Sequence, residues 1–166
     1  PECTGLIRHL ELETRLAAFT GPTRDALVLA SADARLTTAQ LHDAGIERDA
    51  LDPAFADRIV ELDGSMIRFT HPLLASVLYQ GLTPRERKRV HRRLAELGDE
   101  PLIRARHLAL SADEPEGELA SELERAATAA ADRGTPIVAA ELGEHALRLT
   151  PRRDRADADR RATATA

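Results

Sequence analysis

The chain has 166 residues, a formal net charge of −5, and an aromatic content confined to Phe19, Phe55, Phe69 and Tyr79. This length corresponds to one domain, or to one domain and part of another, and buries roughly 70% of the unfolded surface. The scarcity of aromatic residues argues against a β-sandwich or barrel and predicts a mainly α chain. The negative charge argues against a domain built to coat nucleic acid.

Several classes of site and location are excluded by simple absences in the sequence. No apolar run approaches the length of a membrane span and no signal-peptide pattern opens the chain, so we expect a cytoplasmic protein that does not enter a membrane. Cys3 is the only cysteine, which excludes an internal disulfide and a cysteine metal cluster. The six histidines lack metal-ligand spacing, and no glycine-rich phosphate loop surrounds Lys88. We therefore expect no catalytic residue, metal or cofactor in this chain.

The first third of the chain predicts four helices. A leading helix over residues 6–19, within a segment 1–20, keeps leucines and Phe19 on one side. Gly21-Pro22 ends it, and Thr23 is expected to cap a second, nearly all-apolar helix. Thr37-Thr38 caps a short third helix that ends at Gly45, and a fourth runs over about 48–57.

The hydrophobic period then changes from that of a helix to that of a strand. Residues 59–62 and 66–69 alternate, with Val60 and Leu62 expected on one face and Ile67 and Phe69 on the other. Asp63-Gly64-Ser65 joins them, with the glycine where a positive φ is expected. This β-hairpin must lie against the neighbouring helices, because an isolated hairpin is only marginally stable.

The rest of the chain predicts further helices, beginning at His71-Pro72, at Thr83-Pro84, at Pro101 and at about residues 118 and 136. Three helices followed by a hairpin is the order of a winged helix, which we place at 21–82. A helical domain resembling tetratricopeptide repeats follows at 83–151. Residues 152–166 have no apolar face and form a polar tail or the start of a further repeat. The chain begins with Pro1 rather than methionine, which suggests a piece of a longer protein.

The run IRFTHPLLASVLYQGLTPRERKRVHRRLAE (67–96) resembles the winged-helix region of large ATP-binding LuxR-type transcription regulators. These are signal-transduction NTPases related to the maltose-regulon activator and to the NACHT and apoptotic ATPases. The matching positions are Arg68, Phe69, His71, Pro72, Leu73, Tyr79, Leu82, Arg89, His91, Leu94 and Ala95. The likeness continues into 119–151 as one degenerate tetratricopeptide-like repeat, in which Leu123, Ala130 and Gly143 replace the usual aromatic residues.

This resemblance implies a non-catalytic segment that couples an upstream NTPase module to sensor and DNA-binding effector domains of the same chain. ATP or ADP and DNA would be bound by those other domains of the full-length protein. In related NTPases a histidine after the hairpin touches the β-phosphate of ADP, and His71 is the matching residue. The relatives often carry Asp after that histidine, whereas Pro72 stands here. The alternative interpretation of His71 is a helix-start residue that hydrogen-bonds backbone.

Two charged stretches allow rival interpretations. Arg85, Arg87, Lys88, Arg89, Arg92 and Arg93 form a basic cluster that either contacts DNA phosphate or is a solvated helix face pairing with the acidic segment 113–124. Residues 37–66 carry seven carboxylates against two arginines, a net −5 that disfavours DNA reading by the third helix. A direct DNA-binding winged helix, and the same module attached to a nucleotide cyclase, remain the alternative functions.

Overall fold

The computed structural model describes residues 12–151. The interpretations of Cys3, of residues 6–11 of the leading helix and of the tail 152–166 therefore lie outside the described residues. Within them the chain is mainly helical with one small antiparallel sheet, as the composition predicts. The elements in chain order are residues 12–17 (α1), Gly21–Ala32 (α2), Thr38–Asp43 (α3), a 3-10 turn at Arg48–Leu51, Asp52–Ala56 (α4), Val60–Asp63 (β1), Met66–Phe69 (β2), Pro72–Gln80 (α5), Pro84–Leu97 (α6), Pro101–Ser111 (α7), Gly117–Asp132 (α8) and Pro136–Leu149 (α9).

The caps of the short helix α3 confirm the predicted start and end. The Thr37 hydroxyl accepts a hydrogen bond from the Gln40 N–H at 3.2 Å, and the Gln40 side chain accepts one from the Thr37 N–H at 3.0 Å. At the other end Gly45 has φ +74° and Ile46 donates its N–H to the Leu41 carbonyl at 3.0 Å. These bonds satisfy backbone groups that the ends of a helix leave without partners.

The predicted cap of α2 is wrong. The helix begins at Gly21, so Thr23 lies in its first turn and Thr20 stands at the N-cap position. Pro22 occupies the first turn, where a missing N–H costs nothing and the fixed φ suits the helix. The proline, rather than a threonine hydroxyl, is therefore the feature that marks the start of α2.

The hairpin forms as predicted, but its face assignment is wrong. Val60 pairs with Phe69 and Leu62 with Ile67 in the antiparallel register. Residues directly opposite each other project from the same side of a sheet, so all four apolar side chains share one face. Gly64 has φ +63° in the tight connection, a conformation that a residue with a Cβ adopts at a cost.

A third segment pairs with the free edge of β2. The Ile67 N–H donates to the Leu36 carbonyl, and the Thr38 N–H donates to the Ser65 carbonyl, both at 2.9 Å. An isolated bridge between Thr37 and Met66 accompanies them. The residues between α2 and α3 thus connect the hairpin to the helices. These bonds stabilise a hairpin that would be only marginally stable alone.

The described residues form two compact units, divided between Leu97 and Gly98. The division comes one helix later than the predicted start of the second domain at residue 83, because Val90 and Leu94 of α6 belong to the first core. That core is mainly aliphatic and also contains Phe19. Its fully buried large side chains are Leu27, Leu36, Leu41, Leu51, Ile59 and Ile67.

The second unit contains α7, α8 and α9 and has its own smaller core. Ala105, Ala109, Leu123, Leu142 and Leu149 are buried in it. Alanine at many of these positions lets neighbouring helices approach closely. The short connection between α8 and α9 makes them neighbours along their length.

Ile67→Ala tests the role of the hairpin in the first unit. Ile67 is 1% exposed, so we expect a loss of about 2–5 kcal/mol in the free energy of unfolding of this unit. Phe69→Ala should cost less than removal of a fully buried ring, because the side chain is half-buried. Met66→Ala, on the opposite face of the same strand, is the matched control. Urea denaturation measures all three, and an Ile67→Ala loss no larger than that of the control would contradict the packing.

Candidate functional site

His71 lies between the sheet and α5 and is the N-cap of that helix. Its backbone is extended (φ −141°, ψ 131°), as expected for a residue before proline. The ring Nδ1 accepts a hydrogen bond from the Leu73 N–H at 3.1 Å. The backbone hydrogen bond predicted by the alternative interpretation of His71 is therefore present.

This hydrogen bond fixes which edge of the imidazole is available to a ligand. A nitrogen that accepts a hydrogen bond carries no proton, so in the neutral ring the proton lies on Nε2. The His71 side chain is exposed, and an N–H donor at a helix N-terminus is placed where an anion is favoured. The geometry thus combines backbone capping by Nδ1 with a donor at Nε2, and the two interpretations of His71 are compatible.

Thr70, the residue before His71, is hydrogen-bonded to the two residues that precede β1. The Thr70 N–H donates to the Ile59 carbonyl at 3.1 Å, and its hydroxyl donates to the Arg58 carbonyl at 2.7 Å. Arg58 itself has φ +52°, a left-handed conformation that costs energy in a residue with a side chain. The start of α5 is therefore held by backbone bonds on both sides of His71.

Three side chains link α5 to α6. The Tyr79 hydroxyl and His91 Nε2 are 2.7 Å apart, and His91 is 3% exposed. The Arg87 guanidinium lies 5.2 Å from the centre of the Tyr79 ring and donates to the Gln80 carbonyl at 2.7 Å and to the Tyr79 carbonyl at 3.2 Å. Arg87 thus satisfies carbonyls at the C-terminus of α5, where a cation is favoured.

The predicted basic cluster therefore contains residues with different environments. Arg87 and Lys88 are half-buried, whereas Arg85, Arg89, Arg92 and Arg93 are exposed on α6. Arg93 forms an ion pair with Glu96 at 2.8 Å on the same helix. Arg87 is occupied by α5, so the exposed positive charge of the cluster comes from the other four arginines.

In the acidic surface predicted at residues 37–66, the charged side chains face the solvent. All seven carboxylates are exposed, as are Arg48 and Arg58. Arg48 lies over the Phe55 ring, 5.6 Å from its centre. The carboxylates in question are Asp43, Glu47, Asp49, Asp52, Asp57, Glu61 and Asp63. The carboxylates outnumber the two arginines, and Asp63 also forms an ion pair with Arg68 at 2.8 Å. The net charge of the segment is therefore negative and opposes a phosphate backbone.

Sequence reasoning missed a second capping box, at the start of α6. The Thr83 N–H and hydroxyl both donate to Glu86 Oε2, at 2.7 and 2.6 Å, and the Glu86 N–H donates to the Thr83 hydroxyl at 3.3 Å. The pattern of threonine followed three residues later by glutamate was the available signal. The hydrogen bonds from the Thr83 side chain and backbone lower the pKa of Glu86.

In the second unit His145 of α9 has a pKa below its ordinary value. Burial, followed by the positive charge of Arg148, lowers the pKa of His145. Arg148 donates to the Ala109 carbonyl at 2.7 Å, and Arg106 forms an ion pair with Glu141 at 2.6 Å. These contacts join α7 to α9.

The chain matches no family model, no curated protein and no solved structure. Within residues 12–151 no group of histidine, cysteine or carboxylate side chains is arranged to hold a metal ion. The same residues include no helix with the length and apolar character needed to cross a membrane.

The Thr83–Glu86 cap predicts a pH-dependent contribution to stability. Because the folded-state pKa of Glu86 is lowered, this contribution is present in full above the ordinary value of 4.5 and is lost as the pH falls through the lowered value. Glu86→Gln should retain the capping geometry and remove this acid sensitivity, whereas Thr83→Ala should remove the two hydroxyl bonds and reduce the acid sensitivity, because the backbone N–H of residue 83 still donates to Glu86. Urea denaturation as a function of pH measures the effect, with Glu61→Gln as control. An unchanged pH profile in Glu86→Gln would contradict the assignment.

Proposed function

We propose that the chain is a non-catalytic coupling segment of an ATP-dependent LuxR-type transcription regulator. In this proposal the first unit is a winged helix and the second is the start of a helical-repeat sensor. The segment transmits the nucleotide state of an upstream NTPase module to the sensor and to a DNA-binding effector. ATP or ADP and DNA belong to those other domains of a cytoplasmic full-length protein.

The winged-helix assignment is supported by the order of elements in the first unit. Helices α2, α3 and α4 precede the hairpin β1–β2, and the segment around Thr37 pairs with β2. For the second unit, the adjacent helices α8 and α9 and their alanine-rich core support a tetratricopeptide-like repeat.

The observation that carries the coupling function is the exposed acidity of the third-helix surface. A winged helix that reads DNA brings this region to the phosphate backbone, where positive charge is needed. Here residues 37–66 carry a net −5, with every carboxylate exposed. A surface of this kind suits contact with protein. In this proposal the winged helix transmits a conformational change between domains instead of reading DNA.

The contacts around His71 supply a physical route for coupling. Hydrogen bonds of Thr70 join the residue before His71 to the sheet region. The Tyr79–His91 and Arg87–Gln80 bonds then join α5 to α6. A displacement of His71 would therefore be passed to α6 through hydrogen-bonded groups, and coupling of this kind requires that the element has two arrangements of different ligand affinity.

A titration with random duplex DNA separates this proposal from the DNA-binding alternative. At about 0.15 M salt we expect no binding tighter than about 100 μM, because the acidic surface opposes the phosphate charge. Fluorescence anisotropy measures the affinity. A variant with Asp49, Asp52 and Asp57 changed to Asn is the matched comparison, since it lowers the negative charge of that surface. Micromolar binding by the unaltered chain, with a steep loss as salt rises, would contradict the proposal.

Two substitutions at His71 in the full-length protein separate nucleotide sensing from helix capping. His71→Ala removes the cap and the ring, whereas His71→Ser retains an oxygen that caps the helix. If Nε2 donates to the ADP phosphate, both variants should lose about 1.5–3 kcal/mol of ADP affinity, roughly ten- to a hundredfold. Only the alanine variant should lose about 0.5–2 kcal/mol of stability.

Calorimetric ADP titration and a reporter assay without inducer measure the outcome of the His71 substitutions. Basal activity should rise in both variants because the ADP-bound closed state is weakened, and ATP binding should persist. Unchanged ADP affinity and basal activity in His71→Ser would leave capping as the whole role of His71. Sensing by a nucleotide cyclase with the same module would give the same result, so the effector needs its own assay.

A further inference from the structure

A groove of about 540 Å³ lies between α2, the residues after α3 and α6 in the first unit. Its floor is apolar and includes Val28, Ile46 and Val90. Val28 and Ile46 are half-buried, so part of their apolar surface faces the solvent inside the groove. Burial of this surface against a partner would release water from it and favour association.

The two walls of the groove carry opposite charges. Arg89 and Arg93 line the α6 side and Asp25 lines the α2 side, and all three side chains are exposed. Arg85 continues the arginine row at the same four-residue spacing along α6, which places successive residues about 6 Å apart along the axis. The Arg93–Glu96 pair is about half exposed, with side-chain accessibilities of 45% and 56%. A pair so exposed contributes little stability and exchanges readily for another partner.

We propose that this groove docks an acidic amphipathic helix of a partner protein. Apolar side chains of that helix, recurring every three to four residues, would lie on Val28, Ile46 and Val90. Carboxylates four residues apart also rise about 6 Å, which matches the spacing of Arg89 and Arg93. Asp25 on the other wall repels a carboxylate and accepts a basic residue, so the charge pattern fixes the orientation of the partner helix.

The same features disfavour the other occupants. DNA offers no apolar surface to the floor, and the acidic surface at residues 37–66 of the same unit repels its phosphates. A second copy of this chain has the same net charge of −5, so the two copies repel each other overall, and the apolar side of its acidic helix α8 is already buried in the second core. The proposal stands on the groove alone and does not depend on the function proposed above.

The test is calorimetric titration of the 166-residue chain with a designed helical peptide of about 18 residues, long enough to form a helix. Its leucines recur at three- and four-residue spacing, glutamates four residues apart flank one side, and lysines flank the other. We expect saturable binding that weakens as salt rises. A peptide with its glutamates changed to lysine should bind at least about tenfold more weakly, since it places like charges against Arg89 and Arg93.

Arg89→Glu and Arg92→Glu form a matched pair of variants, because they make the same charge change on exposed positions of one helix, and only Arg89 lines the groove. We expect Arg89→Glu to weaken peptide binding at least about tenfold and Arg92→Glu to change it less than about twofold. Circular dichroism verifies that both variants fold.

Three results would overturn the proposal. The first is no binding of the glutamate peptide at about 1 mM. The second is equal loss of binding in the Arg89 and Arg92 variants. The third is binding of duplex DNA, or of a second copy of the chain, that requires Arg89 while peptide binding does not. Anisotropy detects the DNA and sedimentation detects the second copy.

Discussion

The backbone of Ile67 is the point on which the first unit depends. Its N–H donates to the Leu36 carbonyl, and its side chain is buried in the core with Leu27 and Leu41. The first contact joins segments that are distant in sequence, and the second anchors the hairpin to the helices. A two-stranded hairpin alone is marginal in water, so this double attachment is what allows the strands to persist.

The position of the candidate site follows from this attachment. Because β2 is fixed from both sides, the residues that follow it are fixed as well, and Thr70 adds hydrogen bonds to the Ile59 and Arg58 carbonyls. His71 is then placed as the cap of α5 with one ring nitrogen turned to the helix backbone. The position of the residue is thus set by the bonds of Thr70, and the orientation of its ring by the Leu73 N–H of α5.

The sequence predicts the local elements well because their signals are local. Proline at the start of α5, glycine at the end of α3 and the strand-like alternation before and after Gly64 each act within a few residues. The face of the hairpin was predicted wrongly, since two strands share a face only through a register that links residues on both sides of a turn.

Contacts between distant residues also explain what the sequence did not indicate about the site. The use of Arg87 to satisfy the end of α5 and the pairing of Tyr79 with His91 depend on how α5 and α6 pack. The basic cluster of α6 therefore contains Arg87, which has a structural role, the half-buried Lys88 and four exposed arginines. The sequence alone does not distinguish these environments. The Thr83–Glu86 cap was a readable local motif. Its hydrogen bonds lower the pKa of Glu86, and the nearby charges of Arg24 and Arg89 lower it further.

A coupling role requires that the sheet, His71 and α5 open and close as one body, and this is the central claim of the account. Native-state amide hydrogen exchange tests it at the Ile67, Thr70 and Leu74 N–H groups, which donate to the Leu36, Ile59 and His71 carbonyls. We expect all three to exchange only through the global unfolding of the first unit, with the same free energy as buried amides of α2. Exchange of Thr70 and Leu74 through a separate opening of lower free energy would show that His71 moves independently of the sheet and would contradict the account.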